Sequence, residues 1–283
     1  MTIGSAPKIA PQNERTRADA ILTDELPLTA RAHIRFVRKS LRPGLLDKSL
    51  REGQRLLGSL WIDRCTRHIR HVHGLERIGK LDPNKSYICV ANPRSFFDLY
   101  VVTGFLVRHG HLPHRLLFPV RSNFFYDSWT GIFVNGVMSF FAMYPPVFRD
   151  RKLAHLNVAS LDETVRLLKG PGMFVGLHPE GTRKMDADPY TLLPAQSGVG
   201  RIIHNSRATV LPVFVNGLGN DLPKQIKGNF TGKGDPIHVV FGEPIDFGDL
   251  LNKPSSPRIY KQIAEKSLEV VKSLGQEERA YRP

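Results

Sequence analysis

Cysteine is scarce in this chain, and the two that are present, Cys65 and Cys89, are far apart. They have neither the spacing of a metal site nor the number needed for a disulfide framework, which fits a protein of a reducing compartment. The first 25 residues lack the apolar run of a signal peptide and carry acidic residues instead. We therefore expect residues 1–25 to form a mobile tail.

Metal-ligand patterns are also lacking. Histidines occur in two groups, at 68–73 and 109–114, but no cysteine or carboxylate completes a set of ligands around either group. We therefore predict no metal site.

Acidic residues are few relative to basic ones. The chain has 26 Asp and Glu against 40 Lys and Arg, a formal net charge of +14 at pH 7. Such a charge favours acidic partners: nucleic acid, an anionic membrane surface or phosphorylated small molecules. The sequence has no helix-turn-helix, zinc-finger or aromatic-platform signature, so we do not expect nucleic acid to be a partner.

Charged residues are absent from residues 128–148, a length sufficient to cross a bilayer. Glycine, asparagine and two prolines interrupt this stretch. The pattern favours a buried helix followed by a buried strand. A partly inserted, monotopic surface is the alternative.

Residues 26–73 combine many arginines with leucines at helical spacing. Pro43 and Gly44 predict a break between two helices. A basic amphipathic helical segment suits an anionic membrane surface. A helical cap whose arginines are merely solvated fits the same pattern.

From residue 74 onward, short apolar runs alternate with helical patterns, and this alternation predicts one α/β domain over residues 74–283. Strands are expected at 87–91, 116–120, 173–177, 210–215 and 238–241. Helices are expected at 95–108, 122–138, 156–169, 197–206 and 256–274.

Polar motifs follow several of these apolar runs: NPRSFFD at 92–98, YPPVFRD at 144–150 and HPEGTRK at 178–184; VLPVFVNG follows at 210–217. Open α/β sheets place ligands at the carboxyl ends of their strands. Gly181 would let the backbone approach a ligand, and Arg183 offers a planar fork suited to phosphate oxygens. Arg149, at another predicted strand end, would be a second phosphate ligand.

In this order and spacing, the four motifs resemble those of the glycerolipid acyltransferase family, of the lysophosphatidate acyltransferase type. The resemblance implies an α/β fold with a mixed, mostly parallel sheet flanked by helices. It implies an O-acyltransferase that moves a fatty acyl group from acyl-CoA or acyl carrier protein to a lysophospholipid hydroxyl. No cofactor is implied, and the protein would be peripheral or monotopic on the cytoplasmic face of a membrane. Implied substrate-binding residues are Asn92, Arg94, Ser95, Arg149, Glu180, Gly181, Thr182 and Arg183.

In that family the first motif supplies a histidine as general base and an aspartate that orients it. Asn92 and Asp98 match the motif, but Pro93 occupies the histidine position and has no titratable group. A lost general base costs about 100- to 10,000-fold in rate. Because asparagine is a good N-cap and proline favours the first helical position, Asn92 and Pro93 predict a helix start.

His178, in the third motif, is a candidate for the replacement base, oriented by Asp98. Two alternatives stay open: a purely structural His178, and Asp98 acting alone, which its low ordinary pKa disfavours. The chain would then be either an active acyltransferase or a catalytically weak or inactive lipid-binding protein of the same fold.

Overall fold

The computed structural model describes residues 19–109, 112–122, 126, 128–183 and 188–282. Most of the predicted mobile tail, residues 1–18, lies outside the described residues.

Helices dominate the N-terminal part of the described chain. They are α1 (Leu28–Ser40), α2 (Leu45–Gly53), a π-helical turn (Gln54–Gly58) and α3 (Ser59–Thr66). The predicted break at Pro43 and Gly44 is confirmed, since these residues separate α1 from α2.

The helix α1 is part of the core. Its residues Ile34 and Val37 are fully buried and belong to one of the two main apolar clusters. Ile21 is also fully buried in that cluster, and Asp19 pairs with Arg38 at 2.7 Å. The prediction of a mobile tail is therefore wrong for residues 19–25. Within this segment Ile21 is buried in the core and Asp19 forms an ion pair with α1.

The main sheet has six strands in the order β1-β8-β7-β2-β6-β3. All neighbours are parallel except β7 and β8, so the predicted mixed, mostly parallel sheet is confirmed. A separate parallel pair is formed by β4 and β5. The strands are β1 (Arg70–His73), β2 (Tyr87–Ala91), β3 (Arg115–Leu117), β4 (Val120–Arg121), β5 (Pro146–Val147), β6 (Met173–Leu177), β7 (Thr209–Asn216) and β8 (Ile237–Phe241).

Strand β1 corrects the predicted domain boundary. It lies in the segment expected to be helical, yet it pairs with β8 from Arg70 to His73. The α/β domain therefore begins no later than Arg70, not at residue 74.

The remaining helices flank the sheet. They are α4 (Asp98–Arg108), α5 (Trp129–Ser139), α6 (Leu156–Leu168), α7 (Ser197–Ser206), α8 (Leu222–Thr231) and α9 (Pro257–Ala280). Three of them lie within three residues of the expected bounds, but the helix expected at 122–138 begins at Trp129 and the one expected at 256–274 extends to Ala280. Residues 123–125 and 127 of the first of these lie outside the described residues. Helix α8 was not predicted, and two short 3₁₀ turns lie at Leu75–Arg77 and Gly248–Leu251.

Helix α5 differs from the buried helix expected in the uncharged stretch. Trp129, Phe133 and Val137 are 71%, 69% and 56% exposed, and the buried residues of this helix are small or polar. Within the described ranges, no helix combines the length and apolar character that a membrane crossing requires.

The sheet order brings the predicted motifs together. Strand β2 lies between β6 and β7. Val90 pairs with Leu177 at the end of β6, and Ala91 pairs with Val213, three residues before β7 ends at Asn216. Because the three strands are parallel, the segments that follow them emerge at the same edge of the sheet. This edge carries the candidate site.

Candidate active site

The loop after β2 is shaped by the side chain of Asn92. This side chain is buried, its amide nitrogen donates to the carbonyl of Val215 at 2.8 Å, and its oxygen accepts from the Val215 N–H at 2.7 Å. Both polar atoms are thus used to join the ends of β2 and β7. The structure gives Asn92 a role in holding the strands, in place of the predicted contact with substrate.

The predicted helix start at Asn92 and Pro93 is wrong, because α4 begins only at Asp98. The Asn92 side chain bonds to Val215 and is not available as an N-cap. Residues 92–97 form a non-helical loop instead, and Pro93 lines the cavity beside it.

Asp98 fixes the conformation of this loop through hydrogen bonds to its backbone. Its Oδ2 atom accepts the backbone N–H groups of Arg94 at 2.6 Å and Ser95 at 2.7 Å. The side chain is fully buried, and Oδ1 has no hydrogen-bond partner among the described residues. Burial raises the pKa of Asp98 to about 7, against the lowering effect of the two N–H groups and of nearby Arg183.

His178 follows β6 directly, and its Nδ1 atom lies 2.8 Å from the carbonyl oxygen of Ala91. A carbonyl only accepts, so Nδ1 carries the proton and Nε2 is left with its lone pair. No hydrogen bond from the described part of the chain reaches Nε2. Burial and the charge of Arg183 lower the pKa of His178 to about 4, so the ring is neutral at pH 7.

His178 and Asp98 are not hydrogen-bonded to each other. The Nδ1 atom of His178 is bound to Ala91, and the free Oδ1 atom of Asp98 has no partner in the described structure. The expectation that Asp98 orients His178 is therefore wrong, since the carbonyl of Ala91 does this.

The third motif forms a tight turn. The N–H of Gly181 donates to the carbonyl of His178 at 2.9 Å, and Gly181 has a φ of 66°, which favours glycine. Glu180 is buried, and its Oε2 atom accepts the backbone N–H of Leu193 at 2.5 Å. Glu180 thus braces the turn and does not line the cavity, contrary to its predicted contact with substrate.

Three guanidinium groups surround this turn. Arg183 donates to Asn220 at 2.5 Å and lies over the ring of Phe96. Arg149 donates to the carbonyl of Gly181, and Arg121 donates to the hydroxyl of Thr182 at 3.0 Å. Burial and the charge of Arg121 lower the pKa of Arg149, which shows that these two cations lie close together.

Arg121 was missed by the sequence analysis. It ends the two-residue strand β4, which is too short to give a pattern in the sequence.

Two expected substrate-binding residues of the first motif make contacts within the protein. The backbone N–H of Arg94 donates to Asp98, and its side chain makes a long contact of 3.5 Å with the carbonyl of Asp188. Ser95 donates its hydroxyl to the carbonyl of Gly219 at 2.7 Å.

A cavity of about 310 Å³ joins the first and third motifs. Of the predicted site residues, it is lined by Ser95, His178, Gly181, Thr182 and Arg183. The lining does not include Asn92, Arg94, Asp98, Arg149 or Glu180, which lie behind or beside it.

Arg121 also lines the cavity, and the rest of the wall is apolar. It comes from the loop after β2, from α4 and α5, and from the segments that follow β3 and α5. The apolar lining residues are Pro93, Phe96, Phe97, Leu99, Tyr100, Phe118, Pro119, Val120, Val134, Met138 and Met143. The site therefore combines one neutral imidazole, a group of guanidinium ions and an apolar chamber. This combination suits a substrate with an anionic group and a hydrocarbon chain.

Comparison with known proteins finds relatives of this chain. The chain is 26% identical over 152 residues to the 1-acyl-sn-glycerol-3-phosphate acyltransferase of Bacillus subtilis (strain 168). That match covers 53% of this chain and 64% of the relative, so it spans slightly less than two thirds of the relative's length.

The fold is similar to the crystal structure of the 1-acyl-sn-glycerophosphate acyltransferase from Thermotoga maritima. The TM-score is 0.54 at 20% sequence identity, over 95% of this chain and 99% of the other. A sequence model of the Acyltransferase family matches residues 69–216, more than half of the chain. The chain belongs to the Acyltransferase family.

Proposed function

We propose that this protein transfers a fatty acyl group from a thioester donor to the hydroxyl group of a lysophospholipid. The donor is acyl-CoA or acyl carrier protein, a co-substrate and not a bound cofactor. The observation that carries the proposal is the single cavity in which His178, Arg183 and an apolar chamber meet. The names of the related proteins support a lysophosphatidate-type acceptor.

His178 is the general base in this proposal. Its Nε2 atom has the lone pair that a base needs, because Nδ1 is bonded to Ala91. Nε2 takes the proton of the acceptor hydroxyl, the oxygen attacks the thioester carbonyl, and the carbon–sulfur bond breaks. The proton then returns from the imidazole to the departing thiolate.

Arg183 and Arg121 hold the phosphate of the acceptor. Both residues line the cavity, and Arg121 is held there by its hydrogen bond to the hydroxyl of Thr182. Arg149 donates a hydrogen bond to the carbonyl of Gly181 and adds positive charge near the cavity, although it does not line it. Guanidinium groups bind phosphate oxygens through paired N–H donors, which fixes the acceptor hydroxyl near Nε2.

The protein acts at a membrane surface in this proposal. Trp129, Phe133 and Val137 form one exposed apolar row on α5, and Val134 and Met138 of the same helix line the cavity. An apolar surface that continues into the chamber gives a lipid chain a path from the bilayer to the site. The net charge of +14 favours anionic lipid, and the free cysteines suit the cytoplasmic face.

The alternative is a catalytically weak or inactive protein that binds lipid, and Pro93 is the observation that favours it. Thiol release from acyl-CoA in the presence of lysophosphatidate separates the two. We expect turnover in the unmodified protein, a drop of at least about 100-fold in His178→Ala, and no change in His155→Ala, an exposed histidine outside the cavity. Acceptor binding without thiol release from either donor, acyl-CoA or acyl carrier protein, would establish the alternative.

Two further variant pairs test the other parts of the proposal. Arg183→Ala should raise the KM for the acceptor, whereas Arg258→Ala, on the exposed start of α9, should not.

Phe133→Ser should weaken binding to anionic vesicles. Phe230→Ser is the matched control, because Phe230 is similarly exposed, at 63%, but lies on α8. Equal vesicle binding by the Phe133→Ser and Phe230→Ser variants would show that α5 does not contact the membrane.

A further inference from the structure

A second cleft lies beside the candidate active site, on the far side of Asn220. Its volume is about 580 Å³, which is within the usual range of small-molecule sites. One face of α8 and two loops line it, with Gly219, Asn220, Asp221, Lys224, Gln225, Lys227, Gly228, Thr231, Lys233, Gly234 and Asp235.

Gly219 and Asn220 line the cleft and bond to two residues that line the catalytic cavity. Asn220 accepts a hydrogen bond from Arg183 at 2.5 Å, and the carbonyl of Gly219 accepts one from Ser95 at 2.7 Å. The loop that carries Gly219 and Asn220 thus connects the cleft with the catalytic cavity.

Specific contacts fix the shape of this cleft. Gln225 bonds to both the N–H of Gly219, at 3.0 Å, and the carbonyl of Gly217, at 3.3 Å. On the floor, Gly228 and Gly234 pack so closely that a Cβ atom on Gly228 would lie 2.6 Å from the Cα atom of Gly234. Only glycine fits at this contact, and the absence of side chains here leaves the space of the cleft unfilled.

Helix α8, which supplies one wall, is anchored to α3 by a buried side chain. Asn229 donates to the carbonyl of Arg64 and accepts the N–H of His68, both at 2.9 Å. The wall is therefore held in place before any ligand binds.

The cleft is lined by three lysines. Lys224 and Lys227 are three residues apart on α8 and so share a face, and Lys233 lies across the floor from them. All three are exposed, and no ion pair to any of them occurs within the described parts of the chain. Of the two acids at the cleft, Asp221 caps α8 through the N–H of Lys224 at 3.0 Å.

We propose that this cleft binds the phosphorylated nucleotide end of coenzyme A in the acyl donor, an inference that rests on the proposed function. The apolar wall of the chamber suits the fatty acyl chain of the donor, and Arg183 and Arg121 are assigned to the acceptor phosphate. The phosphates of the donor need other cations, and the three lysines of the cleft offer positive charge to them. Because the surface is a concave cleft of small-molecule size, it suits a nucleotide better than the broad face of a carrier protein.

Free coenzyme A, without an acyl chain, is the probe that tests the cleft. Calorimetric titration of the full chain should show binding that weakens with added salt and with removal of the 3′-phosphate. The double variant Lys224→Gln, Lys227→Gln should bind at least about tenfold more weakly. The matched control Lys253→Gln, Lys272→Gln removes two exposed lysines elsewhere and should bind as the unmodified protein does. Unfolding midpoints of both variants show whether the fold is kept.

Each outcome separates this inference from the proposed function. Equal binding by both double variants, or absence of coenzyme A binding to the unmodified protein, overturns the inference. Acyl transfer from acyl carrier protein without binding of coenzyme A also overturns it, while leaving the acyltransferase function intact. Lysine-dependent binding of coenzyme A without any thiol release supports the cleft and contradicts the proposed activity.

Discussion

The Nδ1 atom of His178 and the carbonyl oxygen of Ala91 are 2.8 Å apart, and this contact determines which ring nitrogen can act as a base. Strands β2 and β6 are neighbours with Val90 opposite Leu177. This register brings Ala91, the last residue of β2, next to His178, the first residue after β6. The contact is therefore a consequence of the sheet register. It orients the imidazole without Asp98, the orienting group that the resemblance implied.

The pH dependence of the reaction should identify the base. With the pKa of His178 lowered to about 4, its base form persists as the pH falls from 7 to 5, so kcat/KM should stay level over this range and fall below about pH 4. If Asp98 were the base, with its pKa raised to about 7, kcat/KM would fall about tenfold per pH unit below 7. Circular dichroism spectra recorded at each pH show whether the protein stays folded, and so whether unfolding causes a fall in kcat/KM.

The substitution Asp98→Asn should stabilise the protein at pH 8. The pKa of Asp98 is higher in the folded protein, about 7, than its usual value of 3.8, so the folded state loses stability as the pH rises between these values. The difference corresponds to about 4 kcal/mol at most. Asparagine removes the buried charge and still offers an oxygen to the N–H groups of Arg94 and Ser95.

Thermal unfolding of the two proteins at pH 4 and pH 8 measures this effect. The gain in melting temperature from Asp98→Asn should be large at pH 8 and small at pH 4. The substitution Asp246→Asn, an exposed aspartate, provides the control. A gain that does not depend on pH would contradict the raised pKa.

The substitution Pro93→His should increase acyl transfer. Pro93 lines the cavity in the loop that Asp98 braces, and no described residue forms a hydrogen bond with the buried Oδ1 atom of Asp98. A histidine here would gain an orienting carboxylate, and a positioned general base contributes about 100- to 10,000-fold. A large rise in thiol release is expected for Pro93→His but not for Pro93→Ala. If both substitutions lower the rate equally, the proline is needed for the shape of the loop.

The sequence predicts the fold well because its central strands are buried on both faces. Strands β2 and β6 are continuous apolar runs with every residue buried, so their limits are visible without a structure. Strand β1 was missed because it contains two histidines and an arginine and is only partly buried. It becomes a strand through its pairing with β8.

The site is harder to predict because its contacts join distant parts of the chain. Asn92 and Pro93 carry a strong local signal for a helix start, yet Val215, 123 positions away, takes the asparagine side chain. The sequence shows that Asp98 and His178 follow strand ends, but it does not show that Ala91 binds the imidazole. Charge, apolar runs and motifs locate the site, and long-range hydrogen bonds decide what each residue does there.

The substitution Asn92→Ala should destabilise the protein strongly, because Asn92 joins the ends of two strands. Its removal leaves the buried N–H and carbonyl of Val215 without partners, at about 1–3 kcal/mol each. Urea unfolding should show a lower midpoint with the same slope. Asn84→Ala, at an exposed asparagine, should leave the midpoint unchanged. If Asn92→Ala instead raised only the KM for the acceptor and left the midpoint unchanged, Asn92 would be a substrate-binding residue after all.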